Sequence, residues 1–267
     1  MDNRHHCLLC KKLLHRELTW QQVFSIKQLL FDVVCSECYS KFKEHHFHEN
    51  NCEGCGRQLA KNNHGVYQKI YEAKSKKYCH DCYLWLKTYP EYYLHHRFIF
   101  VYNRFFREWL YQYKYQGDSR LARVMEHSLR HTYQRLKNYT WIYLPSSQRN
   151  IEMRGFHATK HLLKEAGIPC FCPFNYIGDG VRQASKGRND RLRLTKCFEP
   201  KFTYVKLFQT VQKWLLFDDL YTTGATIMRA KEALYDASRE QGNHSIQIMS
   251  LSLARDNLLT TKCRALS

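Results

Sequence analysis

No uncharged apolar run in the 267-residue chain approaches the roughly 20 residues that a transmembrane helix needs. The opening residues, Met1-Asp2-Asn3-Arg4-His5-His6, lack the apolar core of a secretory leader. Acidic residues are scarce: 24 Asp and Glu stand against 42 Lys and Arg, a formal charge of +18. Cysteines thin out beyond residue 83, where only Cys170, Cys172, Cys197 and Cys263 occur, scattered. The first two absences argue against membrane insertion and secretion. The expected location is the reducing cytoplasm, where paired cysteines hold metal rather than form disulfides. The shortage of acid points to an acidic partner, either nucleic acid or a phosphorylated ligand. The apolar share, 44%, is that of an ordinary globular protein.

The eight remaining cysteines form four Cys-x-x-Cys pairs: Cys7/Cys10, Cys35/Cys38, Cys52/Cys55 and Cys79/Cys82. Two intervening residues let a tight turn aim both sulfurs at one metal, and two such turns complete a tetrahedral shell. Taken in order, the pairs are separated by 24 residues in the first unit and 23 in the second. That near equality predicts a duplicated unit, two zinc ribbons in tandem, although spacing leaves an interleaved pairing open. His80, inside the last knuckle, is an alternative ligand. All-cysteine shells leave no position for a substrate, so two zinc ions here would be structural. They would contribute on the order of 10 kcal/mol each to folding. Each such site also adds about −2, which lowers the net charge to roughly +14. Residues Leu18 to Val34 are expected to supply a small core, and Lys61 to Lys77 an exposed loop or hairpin.

Residues 83–97 read as a connector, and the domain boundary is expected at 88/89: a double zinc-ribbon domain over 1–88 and a second domain over 89–267. A strand is expected at Phe98–Tyr102. Phe105, Phe106, Trp109, Leu110 and Tyr113 then recur at helical spacing, which favours packing over a base-stacking platform. Gly117 is placed to stop that helix and Asp118 to cap the next. Further strands are expected at 141–144, 171–177, 214–217 and 245–253, with helices at 156–166 and 225–239 and a short strand or helix edge at 206–210. This alternation predicts an α/β fold with a parallel sheet and helices on both faces. Ligands of such sheets bind at the carboxyl ends of the strands. At one such end lies the most informative stretch, Leu215-Leu-Phe-Asp218-Asp219-Leu-Tyr-Thr222-Thr223-Gly224-Ala225-Thr226. An apolar strand ends in two carboxylates. A small hydroxyl-bearing loop follows, then a helix whose first N–H groups can meet an anion. Carboxylates beside an anion site suit the hydroxyls of a sugar, so the pattern reads as a site for a ribose 5-phosphate.

The 215–226 stretch resembles the signature with which type I phosphoribosyltransferases bind phosphoribosyl pyrophosphate (PRPP). The tandem cysteine head, then Lys114-Tyr-Gln-Gly117-Asp118, Pro145 with Arg149, Arg154-Gly155-Phe156 and the signature, in that order, resemble the ComF family over nearly the whole chain. The resemblance implies a type I phosphoribosyltransferase-like domain behind the zinc head. It implies that Asp218 and Asp219 hold the ribose hydroxyls with Mg²⁺ nearby, and that Thr222, Thr223, Gly224, Ala225 and Thr226 cradle the 5-phosphate. Lys114, Arg149 and Arg154 would face pyrophosphate. Within the basic stretch 182–196, Lys186, Arg188 and Arg191 would meet phosphate or DNA, or form a solvated loop. The family is linked to DNA uptake in natural transformation, acting on single-stranded DNA with a helicase-like ATPase, ComFA. The alternative is an active phosphoribosyltransferase on a nucleobase-like acceptor, for which no base pocket is legible. Where the family commonly has Asn-Gln after Arg-Gly-Phe, this chain has His157-Ala158.

Overall fold

The computed structural model describes residues 5–14, 33–59, 70–73, 75–92, 94–177 and 197–256. Four strands form one parallel sheet: β5 (His96–Val101), β6 (Thr140–Tyr143), β9 (Lys213–Tyr221) and β10 (Gln247–Arg255), in the order β5-β10-β9-β6. β9 is therefore internal, and its residues serve both faces, as the unbroken apolar run Trp214–Phe217 requires. Leu215 and Phe217 enter one core and Trp214 and Leu216 the other.

The first face is covered by α3 (Arg104–Tyr115), α4 (Glu126–Arg135) and α6 (Ala158–Glu165). Phe106, Trp109, Leu110 and Tyr113 of α3 are all buried, so the aromatic stripe is core. Asn103 caps α3 by accepting from the Phe106 N–H at 2.8 Å. Gly117 takes the left-handed conformation, φ 73°, that ends it, and Asp118 caps the 3₁₀ segment Ser119–Met125. The second face is covered by α7 (Val205–Thr210) and α8 (Ala225–Glu240), packed through Phe208, Ile227, Ala230 and Leu234. Short antiparallel pairs complete the described elements: β1 (His5–His6) with β2 (Leu13–Leu14), β3 (Tyr71–Ala73) with β4 (Lys76–Tyr78), and β7 (Phe174–Tyr176) with β8 (Phe198–Pro200).

Residues 83–97 are not a connector. The last knuckle opens α2 (His80–Thr88), in which Cys82 and Trp85 are one turn apart and both buried. Metal-ligand geometry starts that helix, and the dispersed aromatic pattern conceals it in the sequence. Residues 206–210 prove to be helix, and α5 (Gln148–Arg154) is an element the sequence reading did not anticipate. Most of Leu18–Val34 and of Lys61–Lys77, and all of 182–196, lie outside the described residues.

The cysteine head packs into both cores. Cys7, Cys38 and Phe42 join the first; Cys52, Cys55, Cys79, Cys82 and Trp85 join the second. Backbone bonds His45 N–H to Ile99 O (2.7 Å) and Val101 N–H to Lys43 O (2.8 Å) cover the free edge of β5. The Phe42 ring meets Phe100, Phe105, Phe106 and Trp109 at centroid distances of 5.0–6.1 Å. Phe42→Ala should therefore destabilise the whole chain by about 3–5 kcal/mol. Because the core is shared, denaturant unfolding followed by tryptophan fluorescence and by far-UV circular dichroism should move together; separate transitions would contradict it.

Candidate functional site

The two cysteine clusters pair sequentially. The sulfurs of Cys7, Cys10, Cys35 and Cys38 lie within 4.8 Å of one another, as do those of Cys52, Cys55, Cys79 and Cys82. Cys10 and Cys35 Sγ are 3.6 Å apart and Cys55 and Cys79 Sγ 3.7 Å; a tetrahedron with Zn–S of about 2.3 Å has edges of about 3.8 Å. The units repeat each other bond for bond. Lys11 N–H donates to Cys7 O and Gly56 N–H to Cys52 O; Cys7 N–H donates to Lys12 O and Cys52 N–H to Arg57 O. Cys35 N–H donates to Cys7 Sγ at 3.3 Å and Cys79 N–H to Cys52 Sγ at 3.2 Å. Lys11 and Gly56 are both left-handed, φ 64° and 74°. Helices α1 (Ser36–Tyr39) and α2 start directly after Cys35 and Cys79. Both sets fit structural zinc, with four sulfurs and no open position. His80 is not among the ligands; its Nδ1 hydrogen-bonds Tyr71 Oη at 3.0 Å. The clusters differ in setting: Cys10 is exposed in the first, whereas all four cysteines of the second are buried.

At the carboxyl end of β9, Asp219 is buried and paired with Lys114 of α3, Nζ lying 2.8 Å from Oδ2 and 2.9 Å from Oδ1. Alternation along the strand sends Asp218 to the other face, where its Oδ1 accepts from the Asp219 N–H at 2.9 Å. Burial, and next the Asp219 charge, push Asp218 up to about 7, against the pull of Lys114 and that N–H. Among the described residues Asp219 is the one of the two carboxylates held in an ion pair, with Lys114 as its partner.

The loop Thr222–Thr226 follows and opens α8, 16 residues long. Gly224 sits at φ 82° as its N-cap. A Cβ there would also overlap the Tyr221 phenol, with Cζ only 2.9 Å away, so glycine is required twice over. Thr223 is buried, and its Oγ1 faces the Ala225 N–H at 3.5 Å. The dipole of α8 ends at this loop.

Arg154, on α5, lies over the Tyr115 ring at 5.8 Å, and its Nε is buried with no hydrogen-bond partner among the described residues. Its charge acts on Tyr113 and His157, both of which also respond to Asp219. Lys114, Arg154 and the Asp pair are therefore gathered around one strand end. Arg149 is exposed on the first turn of α5, and Lys186, Arg188 and Arg191 lie outside the described residues. His157, where the family commonly has Asn, caps α6 with Nδ1 facing the Lys160 N–H at 3.4 Å; its Nε2 lies 3.1 Å from the Ser146 nitrogen, and burial lowers its pKa to about 4.

Trp85, Tyr221, His96 and Arg255, which the sequence reading did not single out, lie under the loop. Trp85 Nε1 donates to Thr223 O at 3.2 Å. His96 stacks on Tyr221 at 4.2 Å, and the Arg255 guanidinium lies over the same Tyr221 ring at 5.3 Å. Nothing local in the sequence marks them: Trp85 is one aromatic among several in 83–92, and Arg255 meets Tyr221 only across strands.

A second concave region, about 770 Å³, opens between the head and α4. Its floor is Ile99, Met249 and Leu251; His46, Phe47 and Arg97 line one wall and His127, His131 and Arg135 the other. The last three are spaced four residues apart on α4 and are exposed. Arg97 lies 3.9 Å over the half-exposed Phe47 ring.

The Asp218 shift has a definite sign in stability. Its folded pKa of about 7 lies above the unfolded value of about 3.9, so ionisation destabilises the fold as pH rises from about 4 to about 7. Asp218→Asn should raise Tm at pH 8 by at least about 3 °C, the shift that roughly 1 kcal/mol produces in a chain of this size. The gain should vanish near pH 4; an equal gain at both pH values in thermal melts would contradict the assignment.

No family model matches the chain. Two curated relatives do. Competence protein ComFC of Streptococcus pneumoniae (strain ATCC BAA-255 / R6) is 30% identical over 237 residues, covering 86% of this chain and 94% of the relative. Competence protein ComFC of Bacillus subtilis (strain 168) is 28% identical over 240 residues, covering 87% and 90%. With identity sustained over nearly the full length of both sequences, the chain belongs to the ComFC family.

Proposed function

We propose that this protein is a cytoplasmic competence factor that acts in DNA uptake, binds single-stranded DNA and holds PRPP or a related ribose 5-phosphate at the Thr222–Thr226 loop. The observation that carries the ligand reading is the convergence of Asp218, the Lys114–Asp219 pair and the glycine-opened N-terminus of α8 at one strand end. In this reading Asp218 accepts from the ribose hydroxyls, and Lys114 holds Asp219 in place beside them. Loop N–H groups and the hydroxyls of Thr222, Thr223 and Thr226 receive the 5-phosphate, which the α8 dipole favours. Arg154, whose buried Nε has no hydrogen-bond partner among the described residues, and Arg149 face the pyrophosphate, which Mg²⁺ accompanies when bound. No residue is assigned to transfer chemistry.

The competence role rests on the names of the relatives and on family membership. Single-stranded DNA is supported by the charge of +18 and by the groove between head and α4. There His127, His131 and Arg135 recur about every 6 Å along a helix, opposite an aromatic ring backed by a guanidinium. Such a groove offers phosphates a row of donors and bases a stacking surface. A helicase-like ATPase of the ComFA type is the proposed protein partner.

Calorimetry tests the first half. PRPP with Mg²⁺ should bind the wild type, and Asp218→Asn/Asp219→Asn should weaken it at least tenfold; unchanged affinity would refute the ribose assignment. For the second half, oligonucleotide anisotropy at several salt concentrations should give a steep slope, about −0.7 per phosphate contacted. Arg135→Glu should reduce that slope by about 1 and the affinity roughly tenfold. Lys206→Glu, an equal charge change on exposed α7, should leave affinity within twofold. Equal losses in both variants would reduce the groove to general surface charge.

A further inference from the structure

The second cysteine cluster is joined to the phosphate loop by two separate chains of contact. In one, Cys82 and Trp85 lie one turn apart on α2, and Trp85 Nε1 donates to Thr223 O in the middle of the loop. In the other, Gly54 of the Cys52–Cys55 knuckle accepts from the His96 N–H at 2.7 Å. The His96 ring, held by Ser250 and Ser252 Oγ at 3.1 Å on its two nitrogens, stacks on Tyr221, whose phenol closes against Gly224. Arg255 is buried between these parts: its guanidinium faces the Tyr221 ring and is acted on by the charges of Cys55, Cys79 and Cys82. Packing leaves little slack, since a Cβ on Gly54 would fall 2.9 Å from both Cβ and Sγ of Cys82. The first cluster has no such connection among the described residues. It packs against Phe42 and Phe100 in the opposite core.

We propose that Trp85 is a positioning residue for the Thr222–Thr226 loop and that the second cysteine site, through Cys82 and Gly54, sets the position of Trp85 and Tyr221, so that metal in this site but not in the first determines the shape of the loop. The four sulfurs fit the ion, as their mutual distances show. The consequence for ligand rests on the ribose-phosphate reading above; the mechanical coupling does not. The indole N–H is the point where the two parts meet. Without it Thr223 O loses a buried donor, and a buried acceptor left unsatisfied is costly. Arg255 supplies positive charge beside a four-thiolate zinc shell of net charge about −2, and its place at the end of β10 ties that charge to the strand next to the loop.

Hydrogen exchange read by mass spectrometry on the full chain tests the coupling without any ligand. In Trp85→Phe, amides 222–228 should exchange at least tenfold faster while metal analysis still finds two zinc ions per chain. Trp109→Phe is the matched control: it removes a buried indole donor to Leu121 O on the other face and should leave amides 222–228 as in the wild type. Stripping zinc stepwise with a chelator, counted by native mass spectrometry, should release the exposed first site before the buried second. Loop exchange should rise only with the second loss. An unchanged loop in Trp85→Phe, an equal change in Trp109→Phe, or a rise on the first loss overturns the proposal. Calorimetry separates the two readings. Trp85→Phe should weaken PRPP about tenfold, and a wild type that binds no PRPP refutes the ribose assignment while the exchange data still decide the coupling.

Discussion

The ion pair between Lys114 and Asp219 is the constraint around which the site is organised. β9 is covered on both faces, and a carboxylate at its end is removed from water. Leaving it unpaired would cost several kcal/mol. Lys114 removes that penalty from 105 residues away, and to do so α3 must lie over this end of the sheet with its last turn at Asp219. The aromatic stripe on the same helix holds it there: Trp109 and Tyr113 stack at 5.6 Å, and Tyr113 Oη donates to Ala158 O at 2.7 Å. One charge pair and one apolar stripe therefore fix the same helix in two independent ways. Asp218, one residue earlier and on the other face, has no ion pair of its own among the described residues; its Oδ1 accepts from the Asp219 N–H instead.

The duplicated cysteine units show how one local geometry serves two settings. Their turns, left-handed positions and N–H to sulfur bonds coincide, because four sulfurs around one point permit few backbone paths. Their surroundings do not coincide. The first unit keeps an exposed ligand and faces the aromatic core beneath α3; the second is enclosed, with Tyr221, Trp85 and Arg255 around it. Burying a four-thiolate shell requires compensating charge, and Arg255 answers to that requirement where the exposed first site can rely on water.

Much of this was legible in the sequence where the signal is periodic or local. The four Cys-x-x-Cys pairs, the stripe from Phe106 to Tyr113, the Gly117–Asp118 boundary and the run from Trp214 into two aspartates each declare themselves within a few residues. What stayed hidden depends on residues far apart. Trp85 and Thr223 are separated by 138 positions, and nothing in Tyr83–Tyr92 marks one aromatic as the donor to a distant carbonyl. The pairing of Lys114 with Asp219 was not legible because the two lie on different elements, 105 residues apart. The groove is assembled from four segments, none distinctive alone. α2 was missed because it is nucleated by a metal knuckle, a cause that helix propensity does not encode.

The parts beneath the loop bear on how an anion would be held. A loop that had to be ordered by its ligand would lose affinity to that ordering. Here the backbone at Gly224 is set by its own left-handed dihedral and by the Tyr221 phenol, and Thr223 is held from below by an indole N–H. Each support comes from a side chain that is itself buried and held by the second cysteine unit or by β10. The N-terminus of α8 is therefore set in place by its surroundings, and on the ribose-phosphate reading proposed above its field would meet an incoming phosphate without prior rearrangement. A cysteine head that merely sat beside the sheet would leave that loop to order itself; a head built into the core beneath it does not.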